Sequence, residues 1–305
     1  MAHLRLYSRG GVGNQMFQYA FARHMQTLTG LEIEVKFRDT VPRGHRRERR
    51  VPELLNFNLD SSTKVSDSRF DHLSWRLISL LSQIQSGSFS KLARMVCEGM
   101  GFITDAQVIE PSMWSRSNNL RLFGYWISRD FFFQHQSLLR ECFSLRGPLP
   151  PRLQEVQSAA EATEEESIAI HVRRGDYFSK GLIETYGILT EDYYIEALKL
   201  AMEKPANNYQ VFIFTDDSHW VENNLLPKLP NSARYRIVDQ KPPETAAEHL
   251  ALMSSFTRLI LSNSTFSWWG ATLGPEKKVV VSPTNWGPSF GEANLLSEDW
   301  LLVNN

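Results

Sequence analysis

The sequence is short of cysteine: Cys97 and Cys142 are the only two in 305 residues. Two lone thiols cannot build a structural zinc site by themselves, and they are too few for a disulfide framework. Reduced thiols in a reducing compartment are the expected state. An excess of one charge is missing as well, since 33 Lys and Arg face 34 Asp and Glu for a formal net charge of −1. A chain this balanced has no global field to draw it onto nucleic acid, which excludes that partner class from the expectations. Long apolar runs are absent. The best, residues 75–84, holds Arg76 and two serines and is half the length of a membrane span of about 20 residues. The opening His3-Leu4-Arg5-Leu6-Tyr7 has no signal-peptide core. A cytoplasmic chain is expected.

What is present reads as two domains, in line with about 150 residues per domain. Gly147-Pro148-Leu149-Pro150-Pro151 breaks secondary structure, and residues 159–166 look like a small, acidic, solvent-facing stretch. The expected division is therefore 1–150 and 151–305. In the second half, β-rich runs at 167–172, 210–215, 235–238, 258–261 and 278–281 alternate with amphipathic stretches such as 192–202. Strands apolar on both faces and separated by helices indicate a parallel sheet covered on two sides, a Rossmann-like α/β domain. The first half opens the same way: a strand at 3–8, a glycine turn, then a helix over 14–29 with Phe17, Phe21, Met25 and Leu28 at helical spacing. Residues 30–145 read as less regular. The basic run Arg43-Gly44-His45-Arg46-Arg47-Glu48-Arg49-Arg50 is ordinarily a solvated loop. Its sharper reading is a peripheral contact with an anionic membrane surface or a pyrophosphate-bearing acceptor.

Four constellations could carry chemistry. His171-Val172-Arg173-Arg174-Gly175-Asp176-Tyr177 leaves the carboxyl end of a strand, the edge where open α/β sheets bind ligands. Two arginines before a glycine suit a large anion, because guanidinium takes phosphate oxygens in pairs; the plainer reading is an arginine pair bridged to nearby carboxylates. Ser262-Asn263-Ser264-Thr265-Phe266-Ser267 follows a later strand and precedes a helix expected near Phe266. It is either an N-cap or an N-cap that also binds phosphate. Phe214-Thr215-Asp216-Asp217 sets a carboxylate at a strand end, where it could accept from the ring N–H and exocyclic amine of guanine, or where Asp217 could simply cap the next helix. Gly10-Gly11-Val12-Gly13-Asn14-Gln15 lacks dinucleotide-motif spacing and reads as a tight turn that lets a ligand approach the backbone. Asp-X-Asp, His-Glu-X-X-His, glycine–lysine phosphate-loop and Gly-X-Ser-X-Gly motifs are all missing. A pyrophosphate leaving group must then be neutralised by arginines and helix N-termini, so no metal and no cofactor is expected.

These residues, with Gln15-Met16-Phe17-Gln18-Tyr19-Ala20, Gly124-Tyr125-Trp126 and Tyr186-Gly187-Ile188-Leu189, resemble the bacterial α-1,2-fucosyltransferases in the family's own order from residue 10 to Trp286. The resemblance implies a GT-B architecture, two Rossmann-like domains facing a central cleft, with residues 1–150 on the acceptor side and 151–305 binding GDP-fucose. It implies transfer of fucose with inversion to the 2-hydroxyl of a terminal galactose in a surface glycan such as an O-antigen, or in a lipid-linked oligosaccharide. Carried over by motif, Arg173 holds the β-phosphate and Arg174 supports it. His171 and Asp216 address guanine, and Ser264, Thr265 and Ser267 bind phosphate, with Phe266 and Tyr177 beside them. Gly11, Gly13 and Asn14 face the donor sugar. Because it shares the arginine motif, Asp176 is the expected base; the other readings are that it orients Arg174 and that Asn14 aligns the acceptor without taking a proton. Val12 stands where the family often has leucine, and residues 43–50 and 244–250 diverge more. Two alternatives remain at this level: a fucosyltransferase of another regiochemistry, such as α-1,6, and a non-catalytic nucleotide-sugar or glycan-binding protein.

Overall fold

The structure is a computed structural model that describes residues 3–37, 52–67, 101–104, 119–161, 166–175, 187–202, 209–287 and 294–305. Asp176, Tyr177, the basic run at 43–50, residues 75–84 and Cys97 lie outside the described residues. The chain divides into two units, Met1–Phe143 and Ser144–Asn305.

Unit 1 begins with β1 (His3–Ser8), α1 (Val12–Thr29) and β2 (Glu32–Phe37), and continues with β3 (Lys64–Asp67), β4 (Phe102–Ile103) and β5 (Asn119–Leu122). Two short helices follow, α2 (Arg129–Phe133) and α3 (Gln136–Cys142). The strands form one parallel sheet in the order β3-β2-β1-β5-β4. Phe17, Phe21 and Met25 of α1 are fully buried, worth about 1.5–3 kcal/mol each. Leu28, expected on the same stripe, is 40% exposed in the last turn. Gly30 ends the helix in the left-handed region (φ 69°), donating its N–H to the Gln26 carbonyl at 2.8 Å.

The interval 30–145, read from sequence as less regular, supplies four of the five strands of this sheet. The reason lies in β2, Glu-Ile-Glu-Val-Lys-Phe. Ile33 and Val35 are buried, while Glu34 accepts from Arg5 Nε and Ser66 Oγ, both at 2.9 Å. Glu32 accepts from Lys64 Nζ at 2.7 Å. A polar ladder across one face gives a parallel strand the alternation of a half-exposed one, unlike the apolar run the rule expects.

Unit 2 carries α4 (Pro151–Glu161), β6 (Glu166–Val172), α5 (Glu191–Ala201), β7 (Tyr209–Thr215), β8 (Ala233–Asp239) and α6 (Ala246–Ser255). It closes with β9 (Arg258–Ile260), α7 (Thr265–Thr272), β10 (Val279–Pro283) and β11 (Leu301–Val303). Its parallel sheet runs β11-β10-β9-β6-β7-β8 over a core that includes Ile168, Ile170, Val211, Ile213, Ile260 and Val281. Residues 159–161, expected in a solvent-facing connection, instead close α4, and Glu166 opens β6. Pro151 starts that helix because proline in the first turn gives up an N–H that has no helical partner anyway.

Both units are thus Rossmann-like α/β folds. In unit 2 the chain steps outward from β6 to β7 and β8, then returns to lay β9 on the other side of β6. In unit 1 it steps from β1 to β2 and β3, and β5 lies on the other side of β1. Each reversal opens a crevice at the carboxyl ends of the two central strands, where ligands of such sheets bind.

Candidate active site

Three loops meet at the unit 2 crevice. β6 ends at Val172 and releases Arg173-Arg174-Gly175, β7 ends at Thr215 before Asp216, and β9 leads through Leu261 to Ser262 and α7. Asp216 clasps the first loop: Oδ1 accepts from the Arg174 N–H at 2.9 Å and the Gly175 N–H at 3.1 Å. Its Oδ2 lies 2.9 Å from Arg173 Nη1. Glycine at 175 is what permits the clasp, because a Cβ there would sit 3.2 Å from the Asp216 Cγ and 3.1 Å from its carbonyl oxygen. Asp216, read from sequence as a guanine contact, is therefore also the clamp of the arginine loop.

The two arginines have different surroundings. The Arg173 side chain is 32% exposed. Arg174 is buried, its guanidinium carbon 3.8 Å from the Trp220 ring centroid and Nη1 donating to the Leu189 carbonyl at 3.2 Å. A stacked, bonded guanidinium of this kind braces the loop, whereas Arg173 keeps about a third of its side chain exposed beside Asp216. His171 is buried beneath them. Its Nδ1 lies 2.7 Å from Ser262 Oγ, and its ring stacks on Phe266 with centroids 4.8 Å apart. Burial, reinforced by the Arg173 charge, pushes the imidazole down to about 3, so it stays neutral and adds no charge to the crevice.

Ser264 caps α7, accepting from the Phe266 N–H at 3.3 Å. Thr265 and Ser267 are buried in the first turn. Ser267 Oγ donates to the carbonyls of Ser262 at 2.8 Å and Ser264 at 3.0 Å, so it serves the turn itself. No acidic residue occupies that turn, so nothing within it offsets the positive end of the helix. Gly270 lets α7 approach α6, where an added Cβ would lie 3.3 Å from Met253 Sδ. Asp217 caps the helical turn at 218–220, accepting from the Trp220 N–H at 3.0 Å.

The glycine turn of unit 1 sits at the other crevice. Gly11 is the N-cap of α1, Gly13 lies in its first turn, and Asn14 packs its amide against Gly10. Two glutamines, quoted in the sequence motifs without a role of their own, hold this turn. Gln18 accepts from the Arg9 N–H and donates to the Arg9 carbonyl, both at 3.0 Å. Gln15 donates to the Gly10 carbonyl at 3.0 Å and accepts from the Leu54 N–H at 3.3 Å. Their signal was available: amides three positions apart at a helix start, amid Phe17, Tyr19 and Phe21, have to be buried and therefore satisfied. Trp220 gave no such signal. Cys142 is a free buried thiol, its pKa pushed up by burial. Among the described residues, no group of three or more His, Cys, Asp or Glu side chains is arranged to hold a metal ion.

Comparison with known proteins agrees with this architecture. The chain is 27% identical over 286 residues to an alpha-1,2-colitosyltransferase of Escherichia coli, covering 91% of this chain and 90% of that protein. It is 27% identical over 306 residues to the O-antigen biosynthesis glycosyltransferase WbnK of Escherichia coli, covering 96% and 97%. Among solved structures, fucosyltransferase NodZ from Bradyrhizobium superposes with a TM-score of 0.52 at 16% identity, covering 90% of this chain and 93% of NodZ. An Arabidopsis thaliana FUT1 mutant in complex with GDP gives a TM-score of 0.55 at 13% identity, covering 94% and 71%. These two share the fold. The family model for glycosyl transferase family 11 matches residues 101–303, from β4 through the arginine loop and α7 to β11. Two parallel sheets with a clamped arginine loop at the reversal of the second are thus the framework of a glycosyltransferase, and the chain belongs to glycosyl transferase family 11.

Proposed function

We propose that the chain is a galactoside α-1,2-L-fucosyltransferase. It moves fucose from GDP-β-L-fucose, with inversion, to the 2-hydroxyl of a terminal galactose in a surface glycan. The observation that carries this reading is the Arg173–Asp216 clasp at the unit 2 crevice, where α7 begins with no acidic residue in its first turn. A nucleoside diphosphate leaving group sheds negative charge, and donors fixed in advance where that charge develops are worth more than flexible ones. The name of the E. coli colitosyltransferase supports the α-1,2 linkage. NodZ, solved after soaking with GDP-fucose, supports the donor.

In the proposed mechanism the acceptor hydroxyl attacks the anomeric carbon in line while GDP departs. Arg173 takes the β-phosphate, held on line by Asp216, and the first turn of α7 adds its N–H groups. Asn14 aligns the sugar, and Asp176 takes the proton from the attacking hydroxyl as general base. Arginine and helix dipole supply the counter-charge in this scheme, so neither metal nor cofactor is invoked and turnover should survive EDTA. The reaction is assigned to the cytoplasmic face of a membrane, with the basic run at 43–50 as a peripheral contact. No helix among the described residues is long and apolar enough to cross a membrane. Liposome binding unchanged after Arg46, Arg47, Arg49 and Arg50 are neutralised would remove that contact.

A second donor is favoured by one observation, the name of the colitosyl relative. The deciding experiment is a screen of GDP-fucose and GDP-linked colitose against lactose and other galactosides, with and without EDTA, followed by linkage analysis. A 2-linked fucosyl product is expected. Transfer of colitose alone overturns the donor, a 6-linked product overturns the linkage, and neither transfer nor donor hydrolysis supports a binding protein.

A further inference from the structure

Unit 1 holds a cationic feature that the proposed reaction does not use. Arg9 follows β1 directly, at the crevice between β1 and β5. Its guanidinium carbon lies 4.2 Å from the Phe123 ring centroid and 4.5 Å from that of Tyr125, both on the chain leaving β5. Cation–π contacts of this length rest the guanidinium on the two aromatic rings, and the N–H groups of a guanidinium form a planar fork that suits an oxyanion. The backbone of Arg9 is fixed too, because the Gln18 amide holds both its N–H and its carbonyl. Arg9 Nε is shut away from solvent without a hydrogen-bond partner, and Arg9 forms no ion pair with a described carboxylate. A buried donor on a charged group left unsatisfied in a native structure calls for an explanation.

The surroundings are shaped to keep this arrangement. Gly10 has φ 86°, and a Cβ there would lie 2.9 Å from Asn14 Nδ2 and 3.3 Å from Tyr125 Cε1, so only glycine lets Tyr125 close over Arg9. Two residues on from the Tyr125–Gly124 pair's start, Trp126 is held at φ 45°, the one non-glycine residue in the left-handed region among those described. Its ring stacks on Phe21 with centroids 4.3 Å apart. Strained backbone of this kind persists where the surroundings over-determine it, and it concentrates at ligand sites.

We propose that Arg9 is an anion-recognition residue that takes the carboxylate or phosphate of an acidic acceptor glycan. This rests on the reading above, in which unit 1 serves the acceptor and Arg173 the donor. The sugar presented to the enzyme then carries a negative charge close to its terminal galactose.

Three probes share that galactose: lactose is neutral, lactobionate carries a carboxylate on the next residue, and galactose 1-phosphate carries a phosphate. Each is compared for the wild type, Arg9→Met, which keeps an apolar stem against the rings, and Arg9→Lys, which keeps the charge without the fork. The wild type should prefer a charged probe over lactose in kcat/KM, and Arg9→Met should reduce that preference about 10–100-fold, the range for bonds to a charged group. Arg9→Lys should restore only part of it, and the KM for GDP-fucose should not move. A preference lost for lactobionate alone assigns a carboxylate, and one lost for galactose 1-phosphate alone assigns a phosphate. An equal fall for charged and neutral probes, or a rise confined to the donor KM, overturns the proposal. If no galactoside accepts a sugar, the reaction assigned above fails, and calorimetric binding of the same probes still decides. Tighter binding of a charged probe that Arg9→Met abolishes supports the anion site, whereas equal binding of charged and neutral probes refutes it.

Discussion

Replacing Asp216 separates its two duties in the arginine loop. Asp216→Asn keeps an oxygen for the N–H groups of Arg174 and Gly175, at 2.9 and 3.1 Å, but deletes the charge that holds Arg173 Nη1 at 2.9 Å. That ion pair is partly solvated, with side chains 32% and 24% exposed, so its loss should cost only about 0.5–1 kcal/mol of stability. The effect on turnover should be larger. A guanidinium no longer aimed at the leaving group is displaced by an ångström or more, and such misplacement costs about 10²-fold, or roughly 2.7 kcal/mol of transition-state stabilisation. Asp216→Ala also removes both backbone bonds, at about 1 kcal/mol each, and should lower the melting temperature of unit 2 by about 4–8 °C. The assay is kcat at saturating donor, together with calorimetric melting of both variants. Inosine diphosphate lacks guanine's exocyclic amine, so a wild-type preference for GDP that the Asn variant loses would add base selection to the clamp. An Asn variant within about threefold of wild-type kcat, or an Ala variant no less stable than the Asn one, refutes the clamp.

Arg173→Ala should cut kcat about 10²–10³-fold while the melting temperature stays nearly constant, as expected for a one-third-exposed side chain; near-normal turnover removes Arg173 from the mechanism. Asp176→Asn should abolish the acidic limb of the pH–rate profile, because a base fails as its carboxylate protonates, and a retained limb rules out that role. Glu244 is buried between Arg152 and His249, with Arg152 Nε at 2.6 Å and His249 Nε2 at 2.8 Å. The bond from Arg152 leads in holding its carboxyl down to about 2 from an ordinary 4.5. A depressed folded-state pKa stabilises above pH 4.5, and that stability is lost as pH falls from 4.5 towards 2. The contribution is on the order of 3 kcal/mol, reduced to about 2 by the exposure of Arg152. Glu244→Gln should lose that much at pH 7 by urea unfolding and show a flatter decline between pH 5 and 3; an unchanged decline contradicts the assignment.

Much of the fold could be read along the chain because local chemistry and tertiary demand agree there. Runs such as Ile168–Ile170 and Val211–Phe214 are apolar on both faces, which a strand buried under two helical layers requires, and Gly11 and Ser264 stand where helices begin. The strands β2 and β3 escaped notice because the charges of β2 are satisfied by neighbouring strands, which no single run records. Ordered motifs located Arg173, Asp216 and the hydroxyls of the α7 turn, since strand ends and helix starts are local events. What each group does there was decided only by folding. Asp216 and Arg173 are 43 positions apart, and parallel pairing of β6 with β7 is what brings them to 2.9 Å. The same sheet hides Arg174 against Trp220 and leaves Arg173 one-third exposed, a distinction two adjacent arginines do not carry in sequence. Likewise, Arg9 became a cation over two rings only when β5 was laid beside β1. Sequence order sets which groups exist and which stand at element ends; the long-range pairing of strands sets which of them are buried, bonded or left facing a substrate.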